Sequence, residues 1–166
     1  MKEIVKPLMQ WYAKHARTLP WRSDPTPYHV WLSEIMLQQT RVEAVIGYYD
    51  RFLEELPDVQ SLAAVSEERL LKLWEGLGYY NRARNLQKAA VQICEQYQGK
   101  FPESYEEWLA LPGIGAYTAG AVTSIAFGKK EAAVDGNVYR IYTRLYADDT
   151  ETVSYTHLTL PTKLEV

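Results

Sequence analysis

The stretch Leu111-Pro112-Gly113-Ile114-Gly115, which leads directly into Ala116-Tyr117-Thr118-Ala119-Gly120-Ala121-Val122, is the most informative part of this sequence. Glycine permits tight backbone turns and the close approach of a ligand, and two glycines here flank a single aliphatic residue. The small residues that follow predict a helix, whose first turn has unpaired N–H groups and the positive end of the helix dipole. Together these features predict a turn and a helix N-terminus that can hold a phosphate group.

Helical spacing of apolar residues continues outward from this stretch along most of the chain, and no strand alternation is present. The pattern therefore predicts an all-α fold. A Thr40/Glu43 capping box is expected to open one helix and a Ser104/Glu107 box another, while Gly128 is expected to close the helix over 117–127. The further helices are expected at 3–17, 28–38, 81–97 and from Asp135 or Asn137 to Tyr146, with a proline-rich connection over 19–27.

Composition limits the classes to which the chain can belong. Its 166 residues, 47% of them hydrophobic, suit one domain or one domain and a fragment of another. The sequence predicts neither a signal peptide nor a membrane span. One cysteine, Cys94, excludes an internal disulfide and is typical of a reducing, cytosolic setting. The net charge is −3, yet the segment 76–101 carries four basic residues and one acidic, so a one-sided basic surface is possible.

Two carboxyl groups are candidates for chemistry. Glu34 lies in a strongly apolar helix, where loss of hydration favours the protonated form and a role as general acid; a Glu that faces solvent or a partner Arg is the simpler reading. Asp135 precedes a helix, which stabilises its anion, although an ordinary N-cap explains it as well. One protonated acid and one carboxylate together suit cleavage of a glycosidic bond.

Polar and aromatic residues near the glycine-rich turns are further candidates. Gln38 and Gln39 end an apolar helix and fit either a gap in a base stack or an ordinary surface. Tyr79, between Gly78 and a basic run, fits either a stacking side chain or a buried aromatic pair. The tryptophans of the predicted helices are expected in the core: Trp11, Trp31, Trp74 and Trp108.

Five stretches in this order resemble the helix-hairpin-helix DNA glycosylases, and within them the adenine DNA glycosylases of the MutY type. They are Leu19–Arg22, Trp31–Thr40, Trp74–Tyr80, Leu111–Val122 and Val134–Val138. The resemblance covers about residues 4–147. It implies a six-helix barrel, cut short at its C-terminal end, that flips adenine out of a mispair with 8-oxoguanine or guanine and hydrolyses its N-glycosidic bond.

The resemblance also implies a role for individual residues. Glu34 would protonate the leaving adenine and Asp135 would stabilise the sugar cation, with Tyr117 supporting the same site. The base pocket would contain Arg17, Trp21 and Arg22. Contacts with double-stranded DNA would come from Gln38, Gln39, Tyr79, Leu111, Gly113, Gly115 and Asn137.

Tyr117 separates the alternatives within this resemblance. Enzymes of the endonuclease III type have a lysine here, which forms a Schiff base and permits strand cleavage, and a phenol cannot do that chemistry. The resemblance therefore implies a monofunctional glycosylase rather than a glycosylase/lyase. A non-catalytic helix-hairpin-helix module that only binds DNA is the alternative from another class.

The family has four cysteines for a [4Fe-4S] cluster, followed by a domain that reads 8-oxoguanine. This chain has neither, so we expect no metal site within it and a parent protein that carries the cluster. We divide it into an N-terminal helix with a proline-rich connection (1–24), a glycosylase domain (25–147) and an irregular, non-native tail (148–166). The expected protein is monomeric, has no membrane partner and acts in the bacterial cytoplasm.

Overall fold

The computed structural model describes residues 2–146, and this part of the chain is built from α-helices without a strand. The expectation of an all-α fold is confirmed. The predicted tail, 148–166, lies outside the described residues. The helices are α1 (Lys2–His15), α2 (Pro20–Ser23), α3 (Pro27–Leu37), α4 (Val42–Glu55), α5 (Val59–Ala64), α6 (Glu67–Trp74), α7 (Asn81–Tyr97), α8 (Tyr105–Leu109), α9 (Ala116–Phe127) and α10 (Gly136–Tyr146).

Helix α3 lies at the centre of the fold. It is apolar on nearly every side and packs against α2, α4, α7 and α9. Trp31 on α3 is fully buried and packs edge-on against Trp108 of α8, with ring centroids 5.7 Å apart. The Tyr28 hydroxyl donates to the Leu56 carbonyl at 2.8 Å, which ties the start of α3 to the end of α4. Burial of α3 stabilises the fold and fixes where its one acidic residue lies.

Local sequence signals place several helix ends as predicted. The Ser104 hydroxyl accepts from the Glu107 amide and the Glu107 carboxylate accepts from the Ser104 amide, which completes the expected capping box. Gly128 ends α9 in the left-handed conformation, with φ of 64°. These helix ends depend on residues only a few positions apart, so the sequence alone is sufficient to predict them.

Three local predictions are wrong. Thr40 does not cap α4, because its hydroxyl donates to the Gln38 carbonyl at 3.3 Å while Arg41 takes the N-cap position. Trp11 is 56% exposed, stacked on His15 along the outer side of α1. The expected connection over 19–27 contains α2, which starts at Pro20 because proline favours the first helical position.

No described helix has the length and apolar character that crossing a membrane requires. The division of the chain at residue 24 stays a prediction. Helices α2 and α3, which lie on either side of that residue, pack directly on each other.

The predicted turn before α9 depends on glycine at one position in particular. Gly113 has φ of 74°, and a Cβ built there would lie 2.6 Å from the Asn85 Cβ on α7. The Ile114 amide donates to the Leu111 carbonyl at 3.2 Å, which closes the turn. Both the backbone conformation and the close packing against α7 therefore exclude a larger residue at Gly113.

We expect Gly113→Ala to lower the free energy of unfolding by roughly 2–4 kcal/mol, from left-handed backbone strain plus overpacking against Asn85. Gly128→Ala is the matched control, because Gly128 also has a positive φ but no atom within 4 Å of its Cβ position. Gly128→Ala should lower the free energy of unfolding by about 1 kcal/mol. If urea denaturation gives equal decreases for the two variants, the close contact with α7 adds nothing to the effect at Gly113.

Candidate active site

One open cleft of about 1620 Å³ brings together residues that are far apart in the sequence. Its walls come from the end of α1, from α2, from the side of α3 that carries Glu34, from the start of α9 and from the start of α10. Most of the residues expected to act on DNA line it: Arg17, Trp21, Arg22, Glu34, Gln38, Gln39, Tyr79, Gly115, Tyr117, Asp135 and Asn137. The sequence could not show that these residues meet, and the packing of α3 against α9 brings them together.

Glu34 is the acidic residue that α3 carries into this cleft. It is half-buried, and burial raises the pKa of its carboxyl above the usual value of 4.5. A hydrogen bond from the Tyr117 hydroxyl lowers that pKa, the charge of Asp135 raises it, and the charge of Arg22 lowers it. Burial is the largest of these effects, so the environment favours the protonated acid, as its apolar sequence context predicts.

Tyr117 lies in the first turn of α9 and contacts the same carboxyl. Burial, the charge of Glu34 and the hydrogen bond to Glu34 all raise the pKa of its phenol. The phenol therefore stays protonated at neutral pH. Its interaction with Glu34 links the first turn of α9 to α3 within the cleft.

Asp135 caps α10. Its Oδ1 accepts from the Asn137 amide at 3.0 Å and the Val138 amide at 2.8 Å, while its Oδ2 accepts from the Asn137 side chain at 2.8 Å. These donors and the helix dipole stabilise the carboxylate and hold it in place. Asp135 is therefore an N-cap, and the capping carboxylate also lines the cleft. Its role in the reaction stays a prediction.

The segment before Asp135 lies directly on α9. A Cβ at Gly120 would be 2.4 Å from the Ala132 carbonyl oxygen, so this contact exists because Gly120 has no side chain. The position of Asp135 relative to Tyr117 therefore depends on a glycine one turn of helix farther along α9.

The predicted base-pocket residues form one wall. Trp21 is buried and packs edge-on against Tyr49, with ring centroids 5.2 Å apart. The Arg22 guanidinium donates to the Arg17 carbonyl at 3.2 Å and lies over the Tyr12 ring at 5.8 Å. Tyr12 was not predicted as a site residue, because its helical spacing is that of a core position.

The two residues expected to enter a base stack lie on separate loops at the cleft. Gln39 follows α3 and Tyr79 follows α6, and both are exposed, Tyr79 by 65%. Both also have a positive φ, 58° for Gln39 and 47° for Tyr79, which non-glycine residues rarely adopt. The buried-pair alternative for Tyr79 is wrong.

The structure does not bring Leu111 and Gly113 into the cleft. The Leu111 side chain is 3% exposed and lies in the core, and Gly113 packs on Asn85. Gly115, in contrast, lines the cleft and has no atom within 4 Å of its Cβ position. It is the glycine of this turn that leaves room for a ligand to approach the N-terminus of α9.

Arg82 also lines the cleft, and the sequence singled it out only as part of a basic run. Three of its contacts are to the backbone carbonyls of Ile35, Met36 and Gln38, which are distant in sequence, and no spacing rule detects such contacts. Among the described residues, no group of three or more His, Cys, Asp or Glu side chains is arranged to hold a metal ion.

Comparison with known proteins identifies a protein family that this chain matches. Residues 32–164 match the HhH-GPD superfamily base excision DNA repair protein family. The chain is 45% identical over 163 residues to a Mus musculus adenine DNA glycosylase, covering 91% of this chain and 32% of that protein. It is 45% identical over 141 residues to an adenine DNA glycosylase of Buchnera aphidicola, covering 84% and 40%. The chain thus spans about a third of the length of these relatives.

Solved structures agree in fold. A thermostable thymine-DNA glycosylase superimposes with a TM-score of 0.86 and 31% identity, covering 94% of this chain and 72% of that one. Endonuclease III, trapped in a covalent intermediate with DNA, superimposes with a TM-score of 0.75 and 29% identity, covering 87% and 68%.

The raised pKa of Glu34 predicts a pH-dependent stability. The folded state holds this proton more tightly than the unfolded state, so stability is lost as pH rises from the unfolded pKa through the folded one. We expect Glu34→Gln to be more stable than the unaltered chain at pH 8, with a gain that vanishes near pH 4. Urea denaturation at pH 8 and at pH 4 measures this difference in the free energy of unfolding. Glu68→Gln, at an exposed position on α6, is the control; an equal gain at both pH values would contradict the raised pKa.

Proposed function

This chain belongs to the HhH-GPD superfamily of base excision DNA repair proteins, and we propose that it carries the catalytic site of an adenine DNA glycosylase. The reaction is hydrolysis of the N-glycosidic bond of adenine mispaired with 8-oxoguanine or guanine in double-stranded DNA. One observation carries the proposal: a half-buried carboxyl of raised pKa, Glu34, lies in one cleft with the capped carboxylate of Asp135. The identity to adenine DNA glycosylases, 45% over most of the chain, supports the choice of adenine.

The two acids divide the chemistry between them. Glu34 gives its proton to the adenine ring as the bond between the ring nitrogen and the sugar breaks, and the bonding electron pair leaves with the base. The sugar then has oxocarbenium character, which the Asp135 carboxylate stabilises by charge. Water adds to the sugar carbon, and its proton returns to the Glu34 carboxylate. The products are free adenine and an abasic site.

Tyr117 limits the reaction to hydrolysis. Its hydroxyl interacts with the Glu34 carboxyl and lowers the pKa of that acid, which burial raises. A protonated phenol is not an amine and forms no Schiff base with the abasic sugar, so no strand cleavage follows. The glycosylase/lyase alternative lacks its nucleophile at this position.

The cleft supplies groups for holding an extruded base. Trp21 and the guanidinium groups of Arg17 and Arg22 form the wall of the proposed adenine pocket. Gln39 and Tyr79 are exposed at its edge, where they would fill the gap that the base leaves. Flipping a base costs a few kcal/mol, which these contacts and a phosphate at the N-terminus of α9 would offset. We propose that the protein acts on DNA as a monomer.

The residues of this chain do not fit the [4Fe-4S] cluster that the resemblance associates with the family. Such a cluster takes four cysteine thiolates, and the chain has only Cys94. Its thiol donates to the Val59 carbonyl at 3.8 Å, on the side of α7 that faces α5. No step proposed here depends on a cluster. A lone, half-buried thiol is consistent with action in a reducing cytoplasm.

An excision assay tests the proposed reaction. A duplex with one adenine·8-oxoguanine pair is incubated with excess protein, using this chain and a longer protein that contains it, and free adenine is measured. Glu34→Gln should lower the excision rate at least about 100-fold, because it removes the acid proton, while DNA affinity stays within about three-fold. Glu68→Gln should excise at the unaltered rate. If both unaltered proteins bind the duplex and neither releases adenine, the result favours the non-catalytic DNA-binding module.

Tyr117→Lys tests the division between hydrolysis and strand cleavage. A lysine amine at this position can attack the sugar carbon as the base leaves, giving a Schiff base that borohydride reduces to a stable protein–DNA adduct. We expect an adduct on denaturing gels with Tyr117→Lys and none with Tyr117→Phe. Adduct formation by the unaltered chain would contradict the monofunctional reaction.

A further inference from the structure

The Arg82 side chain, at the start of α7, reaches across to the end of α3. Its Nη1 donates to three carbonyls there, those of Ile35 at 2.9 Å, Met36 at 3.0 Å and Gln38 at 2.6 Å. The last carbonyls of a helix have no partner within it and form the negative end of its dipole. A guanidinium from a different helix supplies both the missing donors and the complementary charge.

The other nitrogen of the same group holds a second loop. Nη2 donates to the Leu77 carbonyl at 3.0 Å and the Gly78 carbonyl at 3.2 Å, and also reaches the Thr40 hydroxyl at 3.4 Å. One planar group therefore joins the loop after α3, residues 38–41, to the loop after α6, residues 77–80. We call these the glutamine loop and the tyrosine loop.

Each loop carries one of the two residues with a disfavoured backbone at the edge of the cleft. Gln39 lies between the Gln38 carbonyl and the Thr40 hydroxyl, and both of these accept from Arg82. Tyr79 directly follows the Gly78 carbonyl, and its ring lies 5.7 Å from the guanidinium carbon. Left-handed conformations at non-glycine residues persist only where the surroundings hold them, and here the shared surroundings are the Arg82 side chain.

The planar fork of Arg82 cannot be replaced by another positive side chain. Lysine carries all its donors on one nitrogen, whereas the two terminal nitrogens of Arg82, at a fixed spacing, donate to carbonyls of one loop each. Among the described residues, the ion pairs do not include Arg82. Its role therefore depends on carbonyl geometry rather than on a partner carboxylate.

We infer that Arg82 is a positioning residue, which sets the separation of Gln39 and Tyr79 so that both enter the DNA stack together when a base is extruded. The inference rests on the proposed function, since it assigns to Arg82 the alignment of two side chains for base flipping. It predicts that the effect of Arg82 on DNA passes through Gln39 and Tyr79.

Hydrogen exchange in the absence of DNA tests whether Arg82 holds the glutamine loop and the tyrosine loop in place. Arg82→Lys should raise amide exchange in the glutamine loop and the tyrosine loop while exchange in α5 and the rest of α7 stays unchanged. Arg84→Lys is the matched control, because Arg84 is half-buried on the same helix, as Arg82 is, and its guanidinium contacts Glu67 and Asn81 instead. Thr40→Val, which loses the 3.4 Å contact with Arg82 and the 3.3 Å hydrogen bond to the Gln38 carbonyl, should loosen the glutamine loop alone. Unchanged exchange in both loops of Arg82→Lys would overturn the inference.

A fluorescent base tests the role on DNA. A duplex carries 2-aminopurine in place of the target adenine, and every protein also carries Glu34→Gln so that no base is released. Arg82→Lys should lower the fluorescence-derived flipping equilibrium about ten-fold, a coupling of the size seen between contacting residues. In a Gln39→Ala/Tyr79→Ala background the same change should have less than about a two-fold effect.

The outcomes separate the two proposals. An equal effect of Arg82→Lys in both backgrounds would show that Arg82 does not act through the two loops, which overturns the inference and leaves the proposed function intact. Failure of every protein to unstack the base would contradict the proposed function, and the positioning role with it. Arg84→Lys should match the protein with unaltered Arg84 in every assay.

Discussion

Burial of α3 is the constraint on which the rest of this structure depends. The helix is surrounded by α2, α4, α7 and α9, so any polar group on it must either find a partner or shift its ionisation. Glu34 does both: burial raises the pKa of its carboxyl, and the Tyr117 hydroxyl donates to it. The same packing that stabilises the fold thus raises the pKa of the residue that we propose as the acid of the reaction.

Close approach at two glycines positions α9 and the turn before it against neighbouring segments. Gly113 lets the turn before α9 pack on Asn85, and Gly120 lets the segment before Asp135 pack on α9. Both contacts are made by glycine because a Cβ would collide with its neighbour. The distance between the two acids is therefore set by backbone packing, while the ionisation of Glu34 is set mainly by burial.

The sequence could predict the helices and many of the residues that line the cleft, but not all of their surroundings. Capping at Ser104 and Gly128 depends on neighbouring residues, so local pattern was sufficient. Thr40 looked like an equally good cap, but its hydroxyl interacts with Gln38 and Arg82, the second of which is far away in the chain. Arg82 joins the two loops through their backbone carbonyls. Every residue has a backbone carbonyl, so the sequence does not indicate which ones an arginine contacts.

By itself the sequence determined that the chain is helical, that a glycine-rich turn precedes a helix N-terminus, and that Glu34 lies in an apolar helix. These are consequences of local pattern, because hydrogen bonding within helices and turns involves neighbours. Only the tertiary structure decided that Glu34, Tyr117 and Asp135 share one cleft, that Leu111 is buried, and that Gly115 rather than Gly113 lines that cleft. Such relations depend on how helices pack, which is set by the whole core rather than by any one segment.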